Sequence, residues 1–258
     1  MKDDYTVAAV FYDGAYAADA RLKDIPFYLD LAKRSGGPVL EVACGTGRIL
    51  LPTARAGLRI DGLDASPAML AVLKRRLAVE LPEVRRRVRL HRGDMRRFDL
   101  GRRYRLVTIP FRPMQHMHTV DDQLAALSTA RRHLAPGGHL AFNVFFPRMD
   151  LMDANLGRER PEFEWCQDGL RFTRTFTRLT HDKVAQHFTG RFIYRAYRGR
   201  RLVRTARSSL KMTYYTHPQL LLLFRMTGLE VVHQYGGFDR KPLDQDAREM
   251  VFVLRRRR

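Results

Sequence analysis

The chain has 258 residues, 45% of them hydrophobic, enough for one sizeable core with an insertion, and no apolar run approaches the roughly 20 residues a bilayer span needs. Its formal net charge is +20 and only seven of the 47 basic residues are lysine, so the arginines either coat the whole surface or answer a polyanion such as RNA. Two cysteines, Cys44 and Cys166, imply no disulfide framework, and the polar start Met1-Lys2-Asp3-Asp4 lacks a signal-peptide stretch, so a soluble cytoplasmic protein is expected.

Asp24 is expected to cap a helix with Pro26 in its first turn and Phe27, Leu29, Leu31 and Ala32 following, ended by Ser35-Gly36-Gly37-Pro38. Residues 39–43 read as a short buried strand, 48–56 as a helix stopped by Gly57, and 58–63 as a second strand. Ser66-Pro67 opens a helix with Met69, Leu70, Leu73 and Leu77 on one side. Strands three and four fall at 88–91 and 104–109. A helix over 121–134 ends at Pro136-Gly137-Gly138, and a fifth strand covers 139–146. Strands and helices alternating in this way predict a parallel sheet covered on both faces.

The texture changes at Pro147. The runs RFTRTFTRL, AQHFTGRFIYRAY and RLVRTARSSLKMTYY, between residues 170 and 215, favour strand and contain no helix, so an antiparallel insertion of about three strands is expected. Thr216-His217-Pro218 then starts a helix to about residue 227, and strands follow at 229–235 and 250–254. The predicted fold is α/β: a doubly wound, Rossmann-like seven-stranded sheet with an antiparallel β insertion after strand five. The boundaries place residues 1–147 and 214–258 in the main domain and 148–213 in the insertion.

VLEVACGTGR, residues 39–48, runs from strand through a glycine turn into a helix, the cradle of doubly wound folds. The third glycine of a pyrophosphate fingerprint is absent, because Leu50 stands there, and no Gly-Lys-Ser/Thr makes a P-loop. A glycine pair alone is equally well a plain turn. Asp64 sits at the tip of the neighbouring strand, where a carboxylate can accept two hydrogen bonds from ribose hydroxyls, and Ser66 already supplies the helix cap. Asp94 follows the third strand and can accept from an adenine amino group while Met95 packs on the ring. Three successive strand tips thus suit an adenosine without phosphates.

VLEVACGTGR, GLDASPAML, GDMRRFDL and LAPGGHLAFNVF closely resemble the successive motifs of class I S-adenosylmethionine-dependent methyltransferases, over about residues 25–146. The closing TGLEVVHQYGGFDRKPLDQDAREMVFVLR resembles that family's last strands. Glycine N-methyltransferase and the bacterial amino-sugar N,N-dimethyltransferases are the branch most similar, through the insertion and the tyrosine-bearing FYDGAYAAD near the start. The resemblance implies S-adenosylmethionine as cofactor, S-adenosylhomocysteine as product and no metal. It implies a cofactor site of Tyr16, Glu41, Ala43, Gly45, Thr46, Gly47, Asp64, Ala65, Met69, Gly93, Asp94, Met95 and Pro110. Gly45 and Gly47 would let the backbone pass the methionine portion, and Glu41 would orient the loop. In the resembled enzymes a tyrosine of the first segment contacts the cofactor; Tyr12 and Tyr16 are also explained by packing of a lid helix.

The loop after strand four, Pro110-Phe111-Arg112-Pro113-Met114-Gln115-His116-Met117-His118, should border the methyl acceptor. It lacks the N/D-P-P-Y/F of nucleic-acid amino methyltransferases, since Ile109 precedes Pro110. His116 resembles a histidine of the NSFxHL segment in glycine-type enzymes and is the candidate catalytic base; a local hydrogen bond at a helix start explains it equally well. His118 is read as surface. Trp165, Phe172, Phe192, Tyr194, Tyr214 and Tyr215 either line a substrate pocket or pack a half-buried sheet. Asp239 and Arg240 after Gly236-Gly237 either face the site or form a turn. Three functions remain open: a small-molecule N- or O-methyltransferase, monomeric or homodimeric; an RNA or protein methyltransferase exploiting the charge; and a cofactor-binding subunit without activity.

Overall fold

The computed structural model describes residues 11, 14 and 23–257. Helix α1 (Asp24–Ser35) ends at Gly36, whose φ of 67° lets its N–H return to Lys33 O. Asp24 does not cap this helix. It lies inside the first turn, behind Lys23, and its buried carboxylate binds Arg48. Strand β1 (Val39–Val42), helix α2 (Leu50–Arg55), strand β2 (Ile60–Asp64) and helix α3 (Pro67–Ala78) follow as expected, and the Ser66 hydroxyl accepts the Met69 N–H. A short α4 (Pro82–Arg85) leads to β3 (Val88–Arg92) and β4 (Tyr104–Ile109).

Helix α5 (Val120–Arg132) starts one residue early because the Thr119 side chain accepts the Asp122 N–H. Strand β5 (Leu134–Phe145) also begins before its expected start. Leu134 already pairs with Tyr104, and the register breaks over Pro136-Gly137-Gly138 before His139 pairs with Leu106. The insertion comprises α6 (Met149–Asp153) and four strands: β6 (Glu159–Gln167), β7 (Leu170–Asp182), β8 (His187–Arg198) and β9 (Arg201–Thr213). Three were expected. The missed β6, ERPEFEWCQ, is an exposed edge strand with a register break between Pro161 and Phe163, so charge and proline hide its alternation. Helix α7 (His217–Met226), strand β10 (Leu229–Tyr235) and strand β11 (Glu249–Arg256) complete the chain.

The seven-stranded sheet has the order β10-β11-β5-β4-β1-β2-β3, with β11 antiparallel to both its neighbours, and the four insertion strands form a separate antiparallel sheet in chain order. Two compact units result. One holds residues 23–147 and 214–257; the other holds residues 148–213 with Phe11 and Gly14. In the first, alternate strand residues leave opposite faces of the sheet. Leu40, Val107, Phe142 and Phe252 pack against Leu127 of α5 and Phe224 of α7. Val39, Ile60, Leu106 and Val251 pack against Phe27 of α1, Leu51 of α2 and Leu73 of α3. Each such buried side chain contributes about 1.5–3 kcal/mol, so both faces of the sheet are anchored by packed helices. No helix among the described residues is long and apolar enough to cross a membrane.

In the second unit, Trp165 stacks on Phe172 at 5.2 Å and Phe11 on Tyr194 at 4.7 Å. The Arg174 guanidinium lies between Phe163 and Phe192 at 4.5 and 4.7 Å, with the Glu162 carboxylate 2.9 Å away. These aromatics pack one another across the sheet.

Candidate active site

The chain turns as soon as β1 ends. Ala43, Gly45 and Gly47 take φ values of 57°, 54° and 85°. Gly47 N–H donates to Cys44 O at 2.9 Å, and Cys44 N–H donates to Leu63 O of β2 at 3.0 Å. The glycines stand in different surroundings. A Cβ at Gly47 would stand 2.3 Å from Leu73 Cδ1, the movable end of a side chain, so it is the φ of 85° more than the space that favours glycine there. A Cβ at Gly45 would meet nothing within 4 Å, so this left-handed residue borders open space. The buried Thr46 is held through its carbonyl by Arg76 Nη1 at 3.1 Å.

Asp64, at the tip of β2, fastens this turn. Its Oδ2 accepts the Gly45 N–H and its Oδ1 the Ser66 N–H, both at 2.8 Å. Each oxygen has a second lone pair, so a diol can be accepted on the same carboxylate. Ala65 beside it is exposed, and Met69 is buried under the turn.

Glu41, on β1, is buried, and among the described residues its Oε2 has no hydrogen-bond partner. The nearby Arg48 guanidinium is committed to Asp24, at 2.7 and 2.5 Å. Burial therefore pushes the Glu41 carboxyl well above the usual carboxylate range; Arg48 opposes the rise, and Asp24 and Asp64 add to it. A buried acceptor without a donor is costly unless a ligand completes it. An ammonium is a suitable donor, and the methionine portion of S-adenosylmethionine carries one. Together with the diol acceptor on Asp64 and the clear space at Gly45, this arrangement fits that cofactor.

At the third strand tip, Gly93 N–H donates to Asp64 O at 3.0 Å, which joins the two tips. The Asp94 carboxylate is held by the Arg96 fork at 2.5–3.0 Å and by the Arg96 N–H at 2.9 Å. Those bonds to Arg96 keep its carboxyl below the usual range. Met95 is buried beside it. Tyr12 and Tyr16 lie outside the described residues. Among the described residues, no group of three or more His, Cys, Asp or Glu side chains is placed to hold a metal ion.

The loop after β4 is built differently. Past the buried Pro110, Phe111 and Arg112 both have positive φ, 68° and 72°, and neither is glycine. Left-handed backbone costs such residues roughly 1–2 kcal/mol each. Four contacts offset that cost. Phe111 N–H donates to Asn143 Oδ1 of β5 at 2.8 Å, and Arg112 pairs with Glu249 of β11. Gln115 Oε1 accepts the Phe145 N–H at 3.1 Å, and the buried Tyr215 hydroxyl donates to Met114 O at 2.6 Å. The Phe111 ring also lies 5.0 Å from the Arg48 guanidinium. The 3-10 turn Pro113–His116 then carries His116. Burial, with His118 nearby, lowers the His116 pKa to about 4, so its ring is neutral at neutral pH rather than poised there. His118 is half-buried, not on the surface. Arg240 pairs with Asp30 and covers the Phe27 ring, and Asp239 binds Lys241, so these two residues form a turn against α1.

Known proteins resemble this chain in sequence and in fold. Residues 39–138 match the family model described as a methyltransferase domain. A dTDP-4-amino-2,3,4,6-tetradeoxy-D-glucose N,N-dimethyltransferase of Saccharopolyspora spinosa is 39% identical over 100 residues, covering 39% of this chain and 37% of that protein. A cypemycin N-terminal methyltransferase of Streptomyces sp is 26% identical over 222 residues, covering 86% and 84%. The CcbJ methyltransferase of Streptomyces caelestis superposes with a TM-score of 0.84 at 24% identity, covering 99% of this chain and 98% of that one, which establishes the shared fold. Residues 39–138 are thus similar to a methyltransferase domain, on a fold shared with a solved methyltransferase. Three of its sequence relatives are amino-sugar N,N-dimethyltransferases. The chain spans only 37, 36 and 54% of the lengths of the three amino-sugar enzymes it matches.

Sequence reasoning missed the partners Asp24, Arg48, Asn143 and Glu249, and Tyr28, whose hydroxyl donates to Asn143 Oδ1 at 3.0 Å. Asn143 had a visible signal, a lone amide inside the apolar run LAFNVF. Glu249 stands directly before MVFVL in the same way.

Proposed function

We propose that the protein transfers a methyl group from S-adenosylmethionine to an amino group of a small molecule. The observation that carries this reading is the alignment of Glu41, Asp64 and Asp94 along consecutive strand tips beside the open space at Gly45. Glu41, Gly45 and Asp64 would hold the cofactor's polar ends, with Ala43, Thr46, Gly47, Ala65, Met69, Gly93, Met95 and Pro110 shaping the site and Asp94 accepting from the adenine amino group. When bound, the cofactor supplies an electrophilic methyl group, so the protein's task is alignment and exclusion of water, worth up to roughly 7–11 kcal/mol.

His116 accepts a hydrogen bond from the acceptor's N–H and aims the nitrogen lone pair. It does not store the proton. An ordinary amine has a pKa near ~10, so moving its proton onto an imidazole of pKa about 4 is uphill by ~8 kcal/mol. The amine must therefore arrive neutral, and the proton released after transfer leaves through solvent. A peptide N-terminal amine is the second reading, favoured by the cypemycin enzyme, which aligns over 84% of its length. RNA rests on net charge alone.

The test is a panel of dTDP-amino sugars, peptides with free N-termini and RNA, read as S-adenosylhomocysteine formation. Turnover with an amine is expected. Transfer to RNA alone would overturn the reading, and cofactor binding without any transfer would make the chain a non-catalytic subunit.

A further inference from the structure

The buried polar group that the preceding reading leaves unused is centred on Asn143. This side chain is fully buried on β5, two residues before the strand's carboxyl end at Phe145. Its Oδ1 accepts two hydrogen bonds, from the Tyr28 hydroxyl at 3.0 Å and from the Phe111 N–H at 2.8 Å. Its Nδ2 donates to Glu249 Oε2 at 2.9 Å, and Glu249 in turn binds the Arg112 guanidinium. Burial first, then Asp24, pushes the Tyr28 hydroxyl well up, so it stays a donor. One amide thus fixes Phe111 through its backbone and Arg112 through Glu249.

Those two residues are the whole connection between Pro110 and Pro113. Prolines fix their own φ, so the backbone angles at Phe111 and Arg112 set the direction in which the 3-10 turn leaves the sheet. That turn ends at His116. A left-handed pair of non-glycine residues relaxes unless its surroundings over-determine it. We propose that Asn143 is the positioning residue of the acceptor loop: by holding Phe111 directly and Arg112 through Glu249, it sets where Pro110 and His116 stand relative to the methyl acceptor. Asn143 itself touches no reactant.

The inference rests on reading this loop as the acceptor's border, so its test includes a measurement independent of any acceptor. In the full chain, Asn143→Asp, Glu249→Gln, the double variant and Asn143→Ala are compared. Amide hydrogen exchange at Phe111 is followed by NMR, cofactor affinity by calorimetry, and turnover with the amine that wild type methylates. Asn143→Asp places two carboxylates face to face, whereas the double variant restores one donor and one acceptor. Exchange at Phe111 is expected to rise at least tenfold in Asn143→Asp and to return within about threefold of wild type in the double variant. Turnover should follow the same pattern, a loss of ten- to a hundredfold with recovery, while cofactor affinity stays within threefold throughout. Asn143→Ala should resemble Asn143→Asp; if it does not fold, the swap decides alone. Unchanged exchange in Asn143→Asp, no recovery in the double variant, or cofactor affinity falling as far as turnover would each overturn the assignment. If no amine is methylated by wild type, the functional reading fails while the exchange data still judge the role of Asn143.

Discussion

The loops that leave the adjacent strands β1 and β4 at the same edge of the sheet reach left-handed backbone by opposite routes. After β1 the positive φ values fall on Ala43, Gly45 and Gly47, and glycine bears two of the three without a steric cost. After β4 they fall on Phe111 and Arg112, and no glycine is present. The first loop is shaped by its own sequence and leaves space at Gly45. The second is shaped by side chains from β5, β11 and the segment before α7. A loop of the first kind suits a ligand whose form never changes. One of the second kind takes its shape from residues far away in the chain, so in the reading proposed above the acceptor's border could vary without disturbing the cofactor's.

The largest effects should separate the two loops by what they bind. Asp64→Ala removes the acceptor of the Gly45 and Ser66 N–H groups together with the proposed diol acceptor. A charged acceptor is worth about 1.5–3 kcal/mol, so cofactor affinity should fall by about 10- to 150-fold in calorimetry. Unchanged affinity would remove Asp64 from the cofactor site and leave it as a brace for the turn.

His116→Ala probes the other loop. Turnover should fall by about ten- to a hundredfold, the scale of a misaligned reactant, with cofactor affinity nearly constant. Because the ring's pKa is about 4, the wild-type rate should show no limb from this residue between pH 6 and 8. A limb in that range that disappears in His116→Ala would instead make it a base, with the larger loss of about 10²–10⁴-fold such a group supplies. Stability offers a second check. The folded pKa lies below the unfolded value near 6.5. The unfolded chain therefore binds the extra proton first, and stability is full above about pH 6.5 and declines as pH falls toward 4. The decline should be shallower in His116→Ala; an identical acid limb would show that His116 is not buried in its neutral form.

The difference between the loops also explains what the sequence revealed. The order of strands and helices followed from apolar runs broken by glycine, proline and Ser66-Pro67, which are local signals. The turn after β1 was legible for the same reason, because Gly45 and Gly47 stand where the backbone must turn and Asp64 stands at the next strand tip. The course of the loop after β4 was not. Nothing in PFRPMQH announces two left-handed residues, since the reason for them is a hydrogen bond to a residue 32 positions later and an ion pair 137 positions away. Asp24 was misplaced as a cap for a related reason. Its partner Arg48 arrives from the loop after β1, and helix-end rules do not see tertiary partners. The low pKa of His116 was hidden as well, because burial is a property of the fold.

The smallest predicted effect tests the contrast directly by exchanging Cβ atoms between the loops. In Gly45→Ala, φ near 54° strains the new side chain but nothing stands within 4 Å of it. Stability should fall by about 1–2 kcal/mol from the backbone alone, lowering Tm by a few degrees in a chain of this size. In Arg112→Gly the same strain is relieved. Against that gain stand the entropy of a new glycine, about 0.4–1 kcal/mol, and the lost pairing with Glu249, about 0–1 kcal/mol for a partly exposed arginine. These terms nearly cancel, so Arg112→Gly should leave Tm within about 2 °C of wild type although it deletes an ion pair. Thermal unfolding of both variants at one pH settles the comparison. If Arg112→Gly is the more damaging of the two, the left-handed pair carries no stored strain, and the Glu249 contact holds a conformation the loop already prefers.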